Sequence, residues 1–214
     1  GVYVGMEYTV GDFIYRVTAI DSITSGRTKL IGVVAAKKSK LTKVTVPNTA
    51  NFKGYGLNVT EVGDNAFKAM KKLKKVTFGA NVKVIGKAAF NNCKKLNKIN
   101  FKNVTTIGNN AFAGCKALKK LTIGSKITTI GKNAFKKCTK LKAVVIGKSV
   151  KTIKAKAFTK DNKIKKITFK GKKLKTVKKN ALSSKVKKNI KAKKTKLKGN
   201  KKAIKVFKKK LKIR

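Results

Sequence analysis

The chain contains no histidine and no tryptophan, one proline (Pro47), three arginines and only six acidic residues in 214. Without histidine there is no Ser-His-Asp triad, no Cys-His nucleophile pair and no His-ligated metal. Six carboxylates leave little room for carboxylate metal sites or paired-carboxylate glycoside chemistry. No apolar run approaches the roughly 20 residues of a membrane-spanning helix. The arginines Arg16, Arg27 and Arg214 are a small part of 58 basic residues, the rest being lysine, and the net charge is +52. Sequence-specific nucleic-acid readers depend on arginine forks and exposed stacking aromatics. Nucleic acid is therefore expected to bind only nonspecifically, through salt-sensitive electrostatics.

Hydrophobic residues make up 41% of the chain, too many for a disordered polycation. A core is expected despite the charge, and an internal repeat supplies it. Phe67, Phe90, Phe112, Phe135 and Phe158 are spaced 23, 22, 23 and 23 residues apart, each preceded by alanine. Three positions after them come Met70, Cys93, Cys115, Cys138 and Asp161, and six after them Leu73, Leu96, Leu118, Leu141 and Ile164. Val76-Thr77-Phe78 and its equivalents alternate with period two, which predicts a short strand with one buried face. Val82, Val104, Ile127, Val150 and Leu174, followed three residues on by Ile85, Ile107, Ile130, Ile153 and Val177, predict a second extended piece. The Ala-Phe-x-x-Cys piece has i, i+3 spacing and predicts a single helical turn, with Asn65, Asn110, Asn133 and Asn180 in the place of an N-cap. One such unit cannot bury its own apolar face, whereas units stacked in parallel register form a continuous core. The expected fold is an α/β solenoid of about five to six coils, each 22–24 residues long, built from short parallel strands and single turns.

The unit V-T-T-I-G-N-N-A-F-A-G-C-K-A-L-K-K-L-T-I (Val104 to Ile123), with its four neighbouring copies, resembles the BspA-like leucine-rich-repeat family of bacterial cell-surface proteins. The resemblance covers residues 59–182 well and the flanks loosely. It implies a curved α/β solenoid, export, and an adhesion or partner-binding role. It implies no catalytic residues and no cofactor. The departure from the pattern is the lysine content.

The organisation expected is a β-rich N-terminal cap with a first irregular coil (1–58), the solenoid (59–182) and a lysine-rich C-terminal cap or tail (183–214). Val2–Val10, Asp12–Ile20 and Leu30–Ala35 predict a small antiparallel cap with turns at Gly11 and Ser25-Gly26. Leu41–Val46 predicts the first solenoid strand. In 183–214 half of the positions are basic and none is acidic. Alternation in Ala203-Ile-Lys-Val-Phe207 predicts a capping strand there, after a loosely ordered segment.

Cys93, Cys115 and Cys138 follow the repeat period rather than a metal-ligand spacing, and Met70 shares their column, so buried unpaired thiols are expected. Glu61 and Asp64, or Glu7 and Asp12, are expected to be local counter-charges rather than an acid/base couple. The lysines carry the functional expectation. The solvent-facing strand positions form one column of Lys74, Asn97, Lys119, Lys142 and Lys165, and a neighbouring one of Lys75, Lys98, Lys120, Ala143 and Lys166. Candidate partner-binding residues are therefore Lys74, Lys75, Lys98, Lys119, Lys120, Lys142, Lys165 and Lys166. The partner is expected to be a host or surface protein, or an anionic cell-wall or glycan polymer. The competing readings are a solvated surface that keeps the protein in solution and a nucleic-acid-binding protein acting through nonspecific electrostatics. A monomer at the cell surface or outside the cell is expected. The opening GVYVGMEYTV lacks the basic and apolar regions of a leader, so the export signal is expected to lie outside this segment.

Overall fold

Strict alternation produces strands at the N-terminus. β1 (Glu7–Val10) pairs antiparallel with β2 (Phe13–Ser22), and β2 with β3 (Thr28–Ala36). Tyr8, Tyr15, Val17 and Val34 point inward from them. A computed structural model describes residues 2–22, 28–36, 40–52 and 54–214. The turn expected at Ser25-Gly26 lies outside the described residues. β4 (Lys43–Val46) is the first solenoid strand, and Pro47 follows it, where a missing N–H disturbs no ladder. β5 (Thr49–Phe52) returns antiparallel on β6 (Tyr55–Val62), and β6 lies parallel to β3, which joins the cap to the solenoid.

Each coil then contributes one strand from the Leu-x-x-Val-x-Phe piece and a two-residue strand from the Val-x-x-Ile piece. In chain order these are β7 (Lys75–Phe78), β8 (Val84–Ile85), β9 (Lys98–Asn100), β10 (Thr106–Ile107), β11 (Lys120–Thr122), β12 (Thr129–Ile130), β13 (Ala143–Ile146), β14 (Thr152–Ile153), β15 (Lys166–Phe169) and β16 (Thr176–Val177). The two-residue strands pair in parallel from β6 through β16. The longer ones form two sheets, β4-β7-β9 and β11-β13-β15, the second extended by β17 (Lys196–Gly199). The break between β9 and β11 falls at the 22-residue coil, where the bend after Phe101 is one residue shorter and Lys102 takes φ 45°. Ile99 there is only partly buried, whereas Val76, Leu121, Val144 and Ile167 are buried.

The Ala-Phe-x-x-Cys segment closes by i→i−3 bonds, Lys68 N–H donating to the Asn65 carbonyl (3.1 Å) and Leu73 N–H to that of Met70 (3.2 Å). Alternate amides reach the next coil: Asn65, Phe67 and Ala69 donate to the carbonyls of Lys87, Ala89 and Asn91 at 2.9, 2.7 and 2.7 Å. The N-cap role expected for the asparagines is wrong. Asn65, Asn110, Asn133 and Asn180 have φ of 58°, 58°, 56° and 61°, whereas an N-cap has extended backbone. Asparagine is suited to the left-handed region because its short side chain bonds locally. Gly131 answers a different need, since a Cβ on it would lie 2.6 Å from the Ile107 carbonyl oxygen of the preceding coil.

Register places like on like. Phe67, Phe90, Phe112, Phe135 and Phe158 stack with ring centroids 5.1, 5.1, 5.3 and 5.5 Å apart, each pair within 7° of parallel. Phe13 of β2 meets the edge of this stack at Phe67, 5.9 Å away.

The C-terminal region differs from the strand expected over 203–207. Residues 201–210 are helical, and the capping strand is β17, parallel to β15. α1 (Ser184–Lys191) is N-capped by Ser183, and α2 (Lys201–Lys210) by Asn200, whose side chain accepts from Ala203 N–H at 3.0 Å. Ala203 and Phe207 are four apart and both buried, a spacing that suits a helical stripe as well as alternation. Phe207 closes the open end against Phe169, with ring centroids 5.0 Å apart. The segment before α2 is held in place: Thr195 is buried and its hydroxyl donates to the Ile164 carbonyl at 2.8 Å.

Candidate partner-binding face

Alternation along the longer strands sends Val76, Leu121, Val144 and Ile167 inward, and the residues before them outward. All eight candidate lysines, from Lys74 to Lys166, are exposed. Ladder pairing aligns Lys43 with Lys75 and Lys98 on one sheet, and Lys120, Ala143, Lys166 and Lys196 on the other. The adjacent column is tied together through the backbone. Asn97 N–H donates to the Lys74 carbonyl (3.0 Å), Lys142 to Lys119 (2.8 Å) and Lys165 to Lys142 (2.8 Å). The two columns are thus brought together side by side, but over two sheets rather than one.

Lys43 and Lys196 extend the second column by one rung at each end. The Leu41–Val46 strand pattern already contained Lys43. Lys196 was out of reach of sequence reasoning because β17 has no counterpart in the repeat. At a coil spacing near 5 Å, each like-charged contact costs somewhat under ~1 kcal/mol in water, less where the ammonium groups splay apart. A face built this way attracts anions over a Debye length, about 8–10 Å at ordinary ionic strength.

The cysteines are free and buried. The thiols of Cys93, Cys115 and Cys138 lie against the carbonyls of Phe67, Phe90 and Phe112 of the preceding coil, at 3.1, 3.5 and 3.4 Å. Burial raises all three pKa values, Cys93 to about 11 and the others well above the ordinary thiol value. These are inert core groups rather than nucleophiles.

Asp161 occupies the same column and is fully buried. One carboxyl oxygen accepts from Cys138 N–H at 2.8 Å, and the other has no hydrogen-bond partner. Burial pushes its pKa up to about 9, with the Cys138 amide opposing part of the rise. Asp161 is therefore a neutral acid at pH 7, a state that the repeat pattern alone did not reveal. Glu61 and Asp64 share a cleft of about 310 Å³ with Glu7 and Arg16, and Asp64 accepts from Lys87 N–H at 2.9 Å. No cysteine lines that cleft. Among the described residues no group of three or more His, Cys, Asp or Glu is arranged to hold a metal, and no helix is long and apolar enough to cross a membrane.

The repeat geometry has known counterparts. Residues 58–194 match the family model described as the BspA type leucine rich repeat region, in six copies. The chain belongs to the BspA-type leucine-rich-repeat family. Among solved structures it is similar to the leucine-rich-repeat protein of T. pallidum, with 24% identity, a TM-score of 0.62, and 83% of this chain and 86% of that one covered. It is also similar to a leucine-rich cell surface protein from Faecalibacterium prausnitzii (22% identity, TM-score 0.56, 82% and 51% covered). A third similar structure is a leucine-rich-repeat protein from Bacteroides capillosus (26% identity, TM-score 0.52, 64% and 96% covered). The chain spans about half the length of the Faecalibacterium protein. No curated protein matches the sequence. These similarities support the BspA-type solenoid, and the antiparallel cap stands at its N-terminal end.

Proposed function

We propose that this BspA-type solenoid is a non-catalytic binding module of a bacterial surface protein, and that it holds an anionic cell-wall or glycan polymer along its lysine face. One observation carries the reading: exposed lysines recur on successive strands of the two sheets, from β4 to β9 and from β11 to β17, at the coil spacing of about 5 Å. A flexible polyanion lying along the solenoid axis crosses the strands and meets one or two ammonium groups per coil. Asn97, Asn100, Thr122 and Thr168 beside the lysines supply shorter-range hydrogen bonds. A surface location is supported by the family and by the cell-surface description of the Faecalibacterium protein.

The test is retention of poly(glycerol phosphate) and of a sulfated glycan at physiological ionic strength, compared with duplex DNA. Charge reversal at Lys75, Lys98, Lys120 and Lys166 together is expected to abolish retention, with the folded state checked by circular dichroism. The reading fails if neither polymer is retained, or if the reversed variant binds as before. DNA is expected to show a steep salt slope without sequence preference, which marks nonspecific attraction.

A further inference from the structure

The lysine face is not uniform. Lys119, Lys140, Lys142 and Lys163 line a cleft of about 240 Å³ on three successive coils, and no carboxylate lines it. Lys119 and Lys142 stand just after the buried leucines Leu118 and Leu141, whereas Lys140 and Lys163 stand just before Leu141 and Ile164. Two of the four thus come from the strand side and two from the turn that leads into the strand.

The preceding coils lack the full set of four lysines, whereas one coil further on three of the positions, Lys142, Lys163 and Lys165, are again lysine. One coil nearer the N-terminus, the equivalent four positions hold Asn97, Ala117, Lys119 and Lys140, two of them neutral. A further coil back they hold Lys74, Lys95, Asn97 and Ala117, again with two neutral. Four lysine side chains thus line one concavity, in contrast to the diluted positions of the coils before it. All four lysines are exposed, so a ligand reaches them without unfolding any part of the coil.

We infer that this cleft is a discrete subsite for one tetrahedral oxyanion, a phosphate or sulfate group of the polymer, and that it anchors the polymer while the remaining columns guide it. The inference rests on the polyanion reading above and deepens it. A doubly or singly charged oxyanion offers several acceptor lone pairs to ammonium donors, and charge-assisted bonds of this kind are about twice as strong as neutral ones. It also relieves the mutual repulsion of four like charges, which no acidic side chain in the lining does.

The experiment uses the whole chain at about 0.15 M chloride. Lysine side-chain resonances are followed during titration with inorganic phosphate and, separately, with sulfate. The affinity for poly(glycerol phosphate) is then measured for K140Q/K163Q and for K72Q/K95Q. The second pair removes the same charge from the same column of the repeat but lies outside the cleft. The expected result is that Lys119, Lys140, Lys142 and Lys163 shift first and saturate. K140Q/K163Q should weaken the polymer about tenfold or more, and K72Q/K95Q much less. Stronger binding of phosphate assigns the subsite to a phosphodiester polymer, and stronger binding of sulfate to a sulfated glycan. Equal weakening by the two pairs overturns the subsite while leaving the polyanion reading in place. Absence of any polymer binding by the unmodified chain overturns both.

Discussion

Replacing Asp161 with asparagine should stabilise the protein at neutral pH. The carboxyl is buried in a column otherwise filled by Met70, Cys93, Cys115 and Cys138. Its pKa rises from the ordinary value of 3.8 to about 9. Between those two values the folded chain holds a proton that the unfolded chain has released. Stability is therefore fully present below about pH 4 and falls as pH rises, until the folded-state carboxyl itself ionises. At pH 7 roughly three units of that window have been crossed, a loss on the order of 4 kcal/mol. The field of a chain carrying +52 favours the carboxylate and acts against part of this. An asparagine at this position would keep an acceptor for Cys138 N–H and, by register, direct its amide donor toward the Phe135 carbonyl. The assay is urea unfolding of both chains at pH 4, 5.5, 7 and 8.5. D161N should match the unmodified chain at the lowest pH and exceed it by a widening margin as pH rises. A difference that does not change with pH, or a variant less stable at pH 7, would refute a neutral buried Asp161.

Other outcomes follow from the packing and the caps. Phe112→Ala removes a ring stacked on both Phe90 and Phe135 and touching the edge of Phe101, and should cost about 3–5 kcal/mol in a denaturant titration. Cys93, with a thiol pKa near 11, is ionised to only about one part in a thousand at pH 8. A disulfide reagent should therefore leave all three cysteines unlabelled in the folded protein and label them in denaturant. Asn200→Ala deletes the cap that starts α2 and should cost about 1 kcal/mol, whereas Phe207→Ala, which opens the end of the core at Phe169, should cost about 3–5 kcal/mol.

The interior of the solenoid was legible because position within a coil decides environment. A phenylalanine recurring every 22 or 23 residues has one partner above and one below, so the sequence spacing and the ring stack are the same fact. The exposure of the candidate lysines follows from the same frame. Legibility failed where the frame lapses. Ala203 and Phe207 satisfy both a two-residue and a helical period, and the overlooked signal was Gly199-Asn200, a turn residue followed by an N-cap side chain. Lys196 joined the lysine column only through the pairing of β17 with β15, a long-range contact that no local pattern encodes. The shortened coil was visible as the 22-residue interval, but its effect, two lysine-bearing sheets where one was expected, depends on hydrogen bonds between neighbours. Asp161 stood out as an acid in an apolar column, while its burial and protonation depend on the coils around it.

The aromatic seals at Phe13 and Phe207 have an architectural consequence. Each end of the array carries its own stopper, so a middle coil needs to know only the coil before and the coil after. Length is then a free parameter: duplicating an interior unit such as 104–126 adds one rung of about 4.8 Å to the charged track without disturbing either terminus. A lineage that gains or sheds such units would be adjusting a ruler, lengthening or shortening its cationic strip by whole coils.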